Sequence, residues 1–323
     1  MSRGTREGSN DARAASARPP REGVALALAL ASLATGCLPG DTRPEPESLY
    51  VTAEPSQGLT LGIETSDGWR ITFDRLLLAI GNIDFEEEDA SCNSYAEAHY
   101  NRLFDFTVAG REKVGTVYGL GTCRVEFRLR EPSFEALIGP GATASDLAFM
   151  RTRGTDRFAE DARASVLAIG AGARGDVTKR FEWLFRRSYE LTNCKTEGGG
   201  LATTLELTEG AAGELRIEVR GEELFRSLAD DRADLWFQPI AEADADADGT
   251  VTLDELSNAP RPPRDTGEIG PGDGSSGASR GAPSDPAEGS SGSIEHLVYE
   301  DLLPRLLRVA GAGPCEAEER SRR

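Results

Sequence analysis

The stretch Trp69-Arg-Ile71-Thr-Phe73, followed by the apolar run from Leu76 to Ile80, carries a two-part β-strand pattern. Its first part alternates apolar and polar residues, which is typical of a strand with one buried face. Its second part is uninterrupted, which indicates a strand buried on both faces. The Asp67-Gly68 pair before it marks a turn, and residues 59–63 alternate again on the other side of that turn. These residues predict a hairpin that leads into a long buried strand.

Turns rich in Gly, Asp and Pro separate further candidate strands along the chain. No amphipathic helix is predicted between these strands, and a series of roughly eight to ten short strands is typical of an antiparallel β-sandwich. We therefore expect a mainly β fold, with the β-sandwich spanning residues 58–225. The further candidate strands are Leu103–Val108, Cys123–Leu129, Asp146–Arg151, Ser165–Ile169, Lys179–Leu191, Ala202–Leu207 and Leu215–Val219.

The 323-residue chain is strongly acidic, with a formal net charge of −19 at pH 7. Such a charge disfavours nucleic acid and anionic membrane surfaces as partners, and it suits cations. A hydrophobic content of 38% can support a core, whereas 36 glycines and 17 prolines indicate many turns.

Residues 1–36 have the three parts of a secretory signal peptide that ends at a cysteine. Basic residues up to Arg21 precede an apolar run from Val24 to Leu33, and small residues then precede Cys37 as in a bacterial lipobox. The run is too short for a transmembrane helix, which needs about twenty residues. We expect cleavage after Gly36, lipidation of Cys37 and export to the outer membrane. The alternative is an ordinary signal peptide beside an unrelated cysteine.

Two segments are predicted to lack regular structure. Residues 37–57 interleave acidic residues with prolines, and residues 261–293 are rich in Pro, Gly, Ser and Asp. Neither composition can bury enough apolar surface to order a chain. We expect a flexible tether after Cys37 and a disordered linker before the last apolar segment.

Four cysteines follow Cys37, and an even number in an oxidising compartment predicts disulfides. Of the three possible connectivities we favour Cys92–Cys123 and Cys194–Cys315, the second of which would tie the C-terminus to the body of the domain. No two of these cysteines form a CxxC pair, so neither thiol redox chemistry nor a cysteine zinc site is expected.

The segment Asp244-Ala-Asp246-Ala-Asp248-Gly249-Thr250-Val251-Thr252-Leu253-Asp254-Glu255 matches an EF-hand loop position by position. Carboxylates at positions 1, 3 and 5 can converge on one ion, and the glycine at position 6 permits the sharp turn. Position 7 supplies a backbone carbonyl, position 9 a water-bridged oxygen, and position 12 both carboxylate oxygens. The alternative is a solvated Ala-Asp linker, which the residues at positions 6, 8 and 12 disfavour. The predicted Ca²⁺ ligands are Asp244, Asp246, Asp248, Thr250, Thr252 and Glu255.

Prolines limit both helices of this EF-hand-like segment, which we place at residues 226–260. Pro239 suits the first position of a helix that ends near Ala243, and Pro260 ends an exiting helix predicted at Leu253–Asn258. No second loop follows, although EF-hands usually pair loop against loop. This loop therefore needs support from another part of the chain.

Residues 294–315 are predicted to form a C-terminal helix that supplies this support. Apolar residues recur at helical spacing from Ile294 to Leu307, Ser293 is a suitable N-cap, and Pro304 forces a kink or a break. We expect the helix to pack on the sandwich or on the exiting helix. A membrane-surface helix is the alternative, which the acidic residues of this segment disfavour.

Signatures of catalysis are absent from the sequence: no nucleophile elbow, zinc-protease, Walker A or dinucleotide motif is recognisable. His99 and His296 are the only histidines, and without companions we expect structural or surface roles. The acidic run from Asp84 to Asp89 could bind a second calcium ion, but it lacks ligand spacing and favours a solvated hairpin tip. The tryptophans could form a sugar platform, although core burial is favoured. They are Trp69, Trp183 and Trp236.

The combination resembles a group of bacterial lipoproteins in which a lipobox precedes a β-rich domain, a single calcium loop and a C-terminal helix. The resemblance is carried by residues 69–73, by the segment from Asp244 to Leu256 and by Gly311 to Cys315, and it implies no known activity. We interpret the chain as a non-enzymatic, calcium-binding lipoprotein of the cell envelope, with structural calcium and a role in adhesion or assembly. Its partners would be the lipid bilayer and an envelope protein or polysaccharide. The alternative is a secreted hydrolase or carbohydrate-binding β-sandwich with a structural calcium ion.

Overall fold

The structure is a computed structural model, and it describes residues 45–86, 91–155, 161–210, 212–262 and 292–320. Strands account for 47% of these residues and helices for 17%, which confirms the mainly β class. The strands are β1 (Glu47–Pro55), β2 (Ile63–Glu64), β3 (Arg70–Phe85), β4 (Cys92–Ala96), β5 (Ala98–Asp105), β6 (Glu112–Leu129), β7 (Leu137–Ile138), β8 (Val166–Arg174), β9 (Val177–Phe185), β10 (Tyr189–Thr192), β11 (Thr204–Leu207), β12 (Gly213–Val219), β13 (Thr250–Thr252), β14 (Leu307–Val309) and β15 (Glu316–Glu319).

The helices of the described residues are short. None of them has the length and apolar character needed to cross a lipid bilayer. They are α1 (Gln57–Leu61), α2 (Ala144–Arg151), α3 (Gln238–Ala241), α4 (Leu253–Asn258) and α5 (Ile294–His296), with 3₁₀ turns at Gly221–Phe225 and Leu303–Leu306 and a π-helical turn at Leu297–Leu302.

Strand β6 organises the sheet because its two halves pair with different partners. Its N-terminal half pairs with β1 and β4, and its C-terminal half pairs with β3 and β10. The sheet curls as a result, and its main path runs β13-β9-β8-β3-β6-β1-β12-β14. Side chains from both ends of this path share one hydrophobic core, including Leu49 of β1, Phe127 of β6 and Trp183 of β9.

The strands form one curled, mixed sheet, so the antiparallel β-sandwich that we expected is not confirmed. The pairs β1–β12, β5–β7 and β9–β13 are parallel. A parallel pair needs a long crossover, and the chain between β1 and β12 supplies one. Alternating hydrophobicity reports which face of a strand is buried, but it carries no information on the direction of the neighbouring strand.

Strand β1 corrects the predicted tether at residues 37–57, because it lies within that segment and pairs with β6 and β12. Leu49, Val51 and Ala53 are fully buried and alternate with more exposed residues. This period of two was visible in the sequence, but the surrounding prolines and acidic residues obscured it. The predicted signal peptide, Cys37 and the rest of the tether up to residue 44 lie outside the described residues.

Two segments with a predicted strand pattern are helical instead. The segment after Ser56 forms α1, and the Ser56 hydroxyl accepts a hydrogen bond from the Leu59 amide at 3.2 Å. The segment after Thr143 forms α2, where Thr143 and Asp146 make a reciprocal capping box. Alternating apolar residues over so short a segment are compatible with a strand or with a helix. Here the capping side chains accept hydrogen bonds from the first amides of the helix, which favours the helix.

The C-terminal segment is buried as predicted, but it is not one helix as far as residue 315. Its apolar residues from Ile294 to Leu307 are at most 1% exposed, and Ser293 caps α5. The helical turns end at Leu306, two residues after Pro304, which cannot continue a regular helix. The chain then adds β14 to β12 and β15 to β10, so the sheet extends beyond residues 58–225. Residues 263–291 of the predicted linker lie outside the described residues.

Both predicted disulfides are present, Cys92–Cys123 and Cys194–Cys315. The first joins the neighbouring strands β4 and β6. The second ties the segment after β10 to the segment just before β15, which holds the C-terminus on the body as expected.

A buried ionic network joins the 3₁₀ turn at Gly221–Phe225 to the C-terminal segment. The Glu223 carboxylate is fully buried and lies 2.9 Å from the Arg308 guanidinium, itself 2% exposed. Arg226 at 2.8 Å and Arg305 at 3.3 Å contact the same Glu223 oxygen. Asp231, which is 40% exposed, binds Arg308 from the other side. A buried charge of this kind depends on its partners, because desolvation of an unpaired ion is costly.

Candidate metal centre

The EF-hand-like loop lies between α3 and α4 and is supported by the edge of the main sheet. Positions 7 to 9 of the loop are β13, which runs parallel to β9 with Val251 opposite Phe181. The Arg180 amide donates to the Gly249 carbonyl at 2.8 Å, and the Trp183 indole N–H donates to the Val251 carbonyl at 3.1 Å. Strand β9 thus supports the loop directly.

The helices on either side of the loop are as short as the prolines predicted. Helix α3 has four residues with Pro239 in its first turn, and it starts at Gln238, one residue before the predicted position. Helix α4 has the predicted bounds Leu253–Asn258. Thr252 and Glu255 form a capping box at its start: the Thr252 hydroxyl accepts from the Glu255 amide at 3.3 Å, and Glu255 Oε2 accepts from the Thr252 amide at 2.8 Å. The last loop residues therefore also begin the exiting helix.

Three of the predicted ligands converge. Asp244, Asp246 and Glu255 each offer a carboxylate oxygen, and these oxygens lie within 4.8 Å of one another. The Asp244 side chain is only 1% exposed, and its Oδ2 accepts from the Gly249 amide at 3.0 Å and from the Lys179 ammonium. Its Oδ1 is buried and has no hydrogen-bond partner. A buried carboxylate oxygen without a donor raises the free energy of the fold unless a cation meets it.

The other three predicted ligands lie on the same loop, but hydrogen bonds within the loop engage them. Asp248 is not part of the converging group, and its Oδ1 accepts from the Thr250 amide at 2.7 Å. Asp246 Oδ1 in turn accepts from the Asp248 amide at 3.1 Å. The Thr252 hydroxyl takes part in the cap of α4. These bonds hold the loop in a closed turn around the three converging carboxylates.

Charge and hydrogen bonding keep the key carboxylates ionised. The hydrogen bond from Lys179 lowers the pKa of Asp244, and the Gly249 amide adds to this effect against the opposing influence of burial. Burial opposes ionisation of Glu255 too, but donors from Thr252 and Ala245 outweigh it and lower the pKa of Glu255. Calcium requires ligands in this ionised form.

Two residues of the loop adopt left-handed backbone conformations. Gly249 at position 6 has φ = 89°, as the motif requires, and Ala247 at position 4 has φ = 60°. A Cβ makes this conformation unfavourable by roughly 1–2 kcal/mol, so Ala247 is a strained residue whereas Gly249 is not.

Sequence reasoning missed Lys179, whose ammonium is ion-paired with Asp244. No sequence motif marks Lys179, which is one polar residue of an alternating strand. Only the pairing of β9 with β13 brings it next to the loop. The donor set is otherwise made of hard carboxylate oxygens, which suits Ca²⁺ in charge and chemistry. Lys179 is thus a competitor for Asp244 within a site that fits calcium.

The tryptophans do not form a shared platform. Trp69 and Trp183 are core residues with exposed fractions of 2% and 0%, which agrees with the favoured prediction. Trp236 is partly buried and lines a surface cavity of about 540 Å³ together with Asp67, Arg232, Asp234 and Arg261.

Comparison of this chain with protein-family models, curated proteins and solved structures found no significant match.

Proposed function

We propose that this protein is a calcium-binding lipoprotein anchored in the cell envelope, without enzymatic activity, in which calcium stabilises the fold. One observation carries the calcium proposal: the buried Asp244 Oδ1 lacks a hydrogen-bond partner inside a loop that has EF-hand spacing. The convergence of Asp244, Asp246 and Glu255 supports it further.

The position of the loop explains why calcium would act on stability. Its central residues add β13 to the edge strand β9, and its end begins α4. Helix α4 adjoins the C-terminal segment, where the Ile294 amide donates to the Ala259 carbonyl at 2.9 Å. An ion in the loop would therefore fasten the sheet edge and the C-terminal segment together. At a free calcium concentration ten times Kd, such binding contributes about 1.4 kcal/mol.

The affinity should be that of an extracellular calcium module, with Kd of about 10⁻⁴ to 10⁻³ M. The loop has no sister loop within the described residues, its helices are short, and Lys179 competes for Asp244. These features favour a constitutive structural ion over a sensor that opens and closes.

Calcium titration by calorimetry and thermal melts in EDTA and in calcium test this proposal. We expect the wild-type protein to bind one Ca²⁺ and to melt at a higher temperature in calcium. Asp244→Asn should abolish both effects. Asp254→Asn is the matched control, because Asp254 lies in the same loop at position 11, where it is exposed and is not a ligand. Equal calcium responses in the two variants, or no response in the wild type, would refute the calcium proposal.

The envelope anchor is a separate part of the proposal, and it is supported by the signal and lipobox of residues 1–37. Lipidation of Cys37 would hold the domain at the outer membrane, where its partner would be another envelope protein or a polysaccharide in adhesion or assembly. Detergent phase partitioning of the full chain expressed in bacteria tests this. We expect the wild-type chain in the detergent phase and Cys37→Ala in the aqueous phase; recovery of both in the aqueous phase contradicts the anchor.

The cavity beside Trp236 favours carbohydrate binding as a second candidate function. An accessible indole next to charged side chains, here Arg232 and Asp234, is a common way to hold a sugar ring. Affinity electrophoresis in gels that contain a polysaccharide tests this candidate. We expect a bound polysaccharide to retard the wild-type protein but not Trp236→Ala. Unchanged retention would exclude this cavity as the binding site.

A further inference from the structure

A second cluster of side chains that could bind a metal ion lies at strands β3 and β5, away from the acidic loop in the sequence. Asp84 of β3, Glu97 between β4 and β5, and His99 of β5 bring their ligand atoms within 4.8 Å of one another. His99 Nδ1 is 3.4 Å from Asp84 Oδ1, and His99 Nε2 is 4.0 Å from Glu97 Oε2. The imidazole thus lies between two carboxylates.

Each carboxylate is held in place by its other oxygen. Asp84 Oδ2 is 3.3 Å from the Arg128 guanidinium. Glu97 Oε1 accepts from the Phe85 amide at 3.2 Å and from the Ser94 hydroxyl at 3.1 Å. Asp84 Oδ1, which faces His99, is buried and has no hydrogen-bond partner. In metal sites, neighbouring hydrogen-bond donors typically orient the ligand side chains. Here they do so and leave one oxygen of each carboxylate available for a metal ion.

The surroundings of Asp84 are short of positive charge. Arg128 is shared among Asp84, Glu126 and Glu190, at 3.3, 3.3 and 2.8 Å. Three carboxylates, which repel one another, therefore depend on this one guanidinium. A cation next to Asp84 would relieve this repulsion.

We propose that Asp84, Glu97 and His99 form a second metal site, for a borderline divalent transition-metal ion such as Zn²⁺. The imidazole decides the class of metal, because calcium selects oxygen ligands whereas zinc binds imidazole and carboxylate together. Zinc bonds of about 2.0–2.1 Å in a tetrahedron place neighbouring ligand atoms about 3.4 Å apart. The Asp84–His99 separation already has this value.

The two ring nitrogens of His99 face different carboxylates, and one ion can bind only one of them. With one ligand atom from each residue the separations are up to 4.8 Å, so the Glu97 or His99 side chain must move by as much as about 1.4 Å to reach the tetrahedral edge. The His99 side chain is 75% exposed and is free of packing that would prevent this movement. Three protein ligands leave the fourth position to water, and the ion would fasten β3 to β5. This site is independent of the calcium loop, because none of its ligands is shared.

Zinc titration of the full chain in excess calcium tests the proposal, since calcium keeps the loop carboxylates engaged. Calorimetry with Zn²⁺ and visible absorption with Co²⁺ are the readouts. We expect one Zn²⁺ per chain and a tetrahedral Co²⁺ spectrum for the wild type. His99→Gln should weaken Zn²⁺ binding at least tenfold and remove the Co²⁺ spectrum. His296→Gln is the matched control, because His296 is the other histidine of the chain, and it should behave as the wild type.

Glu97→Gln provides a second variant, in which the loss of one ligand should weaken Zn²⁺ binding by a similar factor. Far-UV circular dichroism without metal checks that each variant is folded. The competing arrangement is a protonated His99 paired with both carboxylates. In that case wild type, His99→Gln and His296→Gln would show the same Zn²⁺ titration, or none, and either result would overturn the metal site.

Discussion

Lys179 and Asp244 form an ion pair although 65 positions separate them in the chain. Lys179 lies on β9 and is 24% exposed, whereas Asp244, at the first ligand position of the loop, is 1% exposed. The sheet edge thus contributes a positive charge as well as a strand partner to the loop. Calcium would have to share Asp244 with this ammonium, so the lysine lowers the affinity of the site that it supports.

Removal of the Lys179 charge should strengthen calcium binding. We expect Lys179→Met to lower the Kd for Ca²⁺ about tenfold, because the ammonium no longer competes for Asp244. Calorimetric titration measures the change. Arg180→Met is the control: Arg180 is the next residue of β9, is more than half exposed and pairs with Asp74. Equal affinities in the two variants would show that the ion pair does not limit calcium binding.

Relief of the strained loop residue should stabilise the protein. We expect Ala247→Gly to raise the free energy of unfolding by about 1 kcal/mol, since glycine adopts the observed φ of 60° without a steric penalty. Ala245→Gly in the same loop should instead lower it by about 0.5 kcal/mol, through the entropy of the unfolded chain. Urea denaturation in EDTA measures both. A destabilised Ala247→Gly variant would contradict the strain at this position.

Acid should weaken the loop in the absence of calcium. The pKa of Asp244 is lowered in the folded state, so its ion pair stabilises the fold above the unfolded pKa of about 3.9 and is lost as the pH falls through the folded pKa. Thermal melts in EDTA from pH 6 to pH 2 should therefore show the wild type losing stability faster than Lys179→Met below about pH 4. Parallel curves for the two proteins would exclude this linkage.

Loss of the buried Glu223 charge should be strongly destabilising. We expect Glu223→Gln to cost about 3–5 kcal/mol, because it removes the buried carboxylate that Arg226, Arg305 and Arg308 share. Asp231→Asn is the control, and its cost should not exceed about 1 kcal/mol because Asp231 is 40% exposed. Urea denaturation measures the two values. Similar costs would mean that burial does not distinguish the two carboxylates.

The two disulfides should differ in their contributions to stability. Cys92–Cys123 closes a loop of 31 positions and Cys194–Cys315 one of 121. The chain-entropy model assigns them about 4 and about 5 kcal/mol. We expect the Cys194→Ala/Cys315→Ala pair to unfold at lower urea than the Cys92→Ala/Cys123→Ala pair. The reverse order would point to interactions of the native strands that the loop model omits.

Features with local causes could be predicted from the sequence. Helix α4 begins at the Thr252 cap and ends before Pro260, as neighbouring residues require. The Asp67-Gly68 turn and the buried C-terminal apolar face follow from short-range patterns in the same way. The helical caps at Ser56 and Thr143 were also local signals, and there the alternation of apolar residues was wrongly given more weight.

The sequence by itself determined the mainly β class, the position of the acidic loop and the short helices that flank it, because hydrophobic period, caps and prolines act over a few residues. It favoured one of three disulfide pairings, which the structure confirms. Only the tertiary structure decided that β1 runs parallel to β12, that Lys179 meets Asp244, and that His99 lies between Asp84 and Glu97. These relationships depend on which strands pair and in what register. That choice minimises the free energy of the whole core, and no short stretch of sequence encodes it.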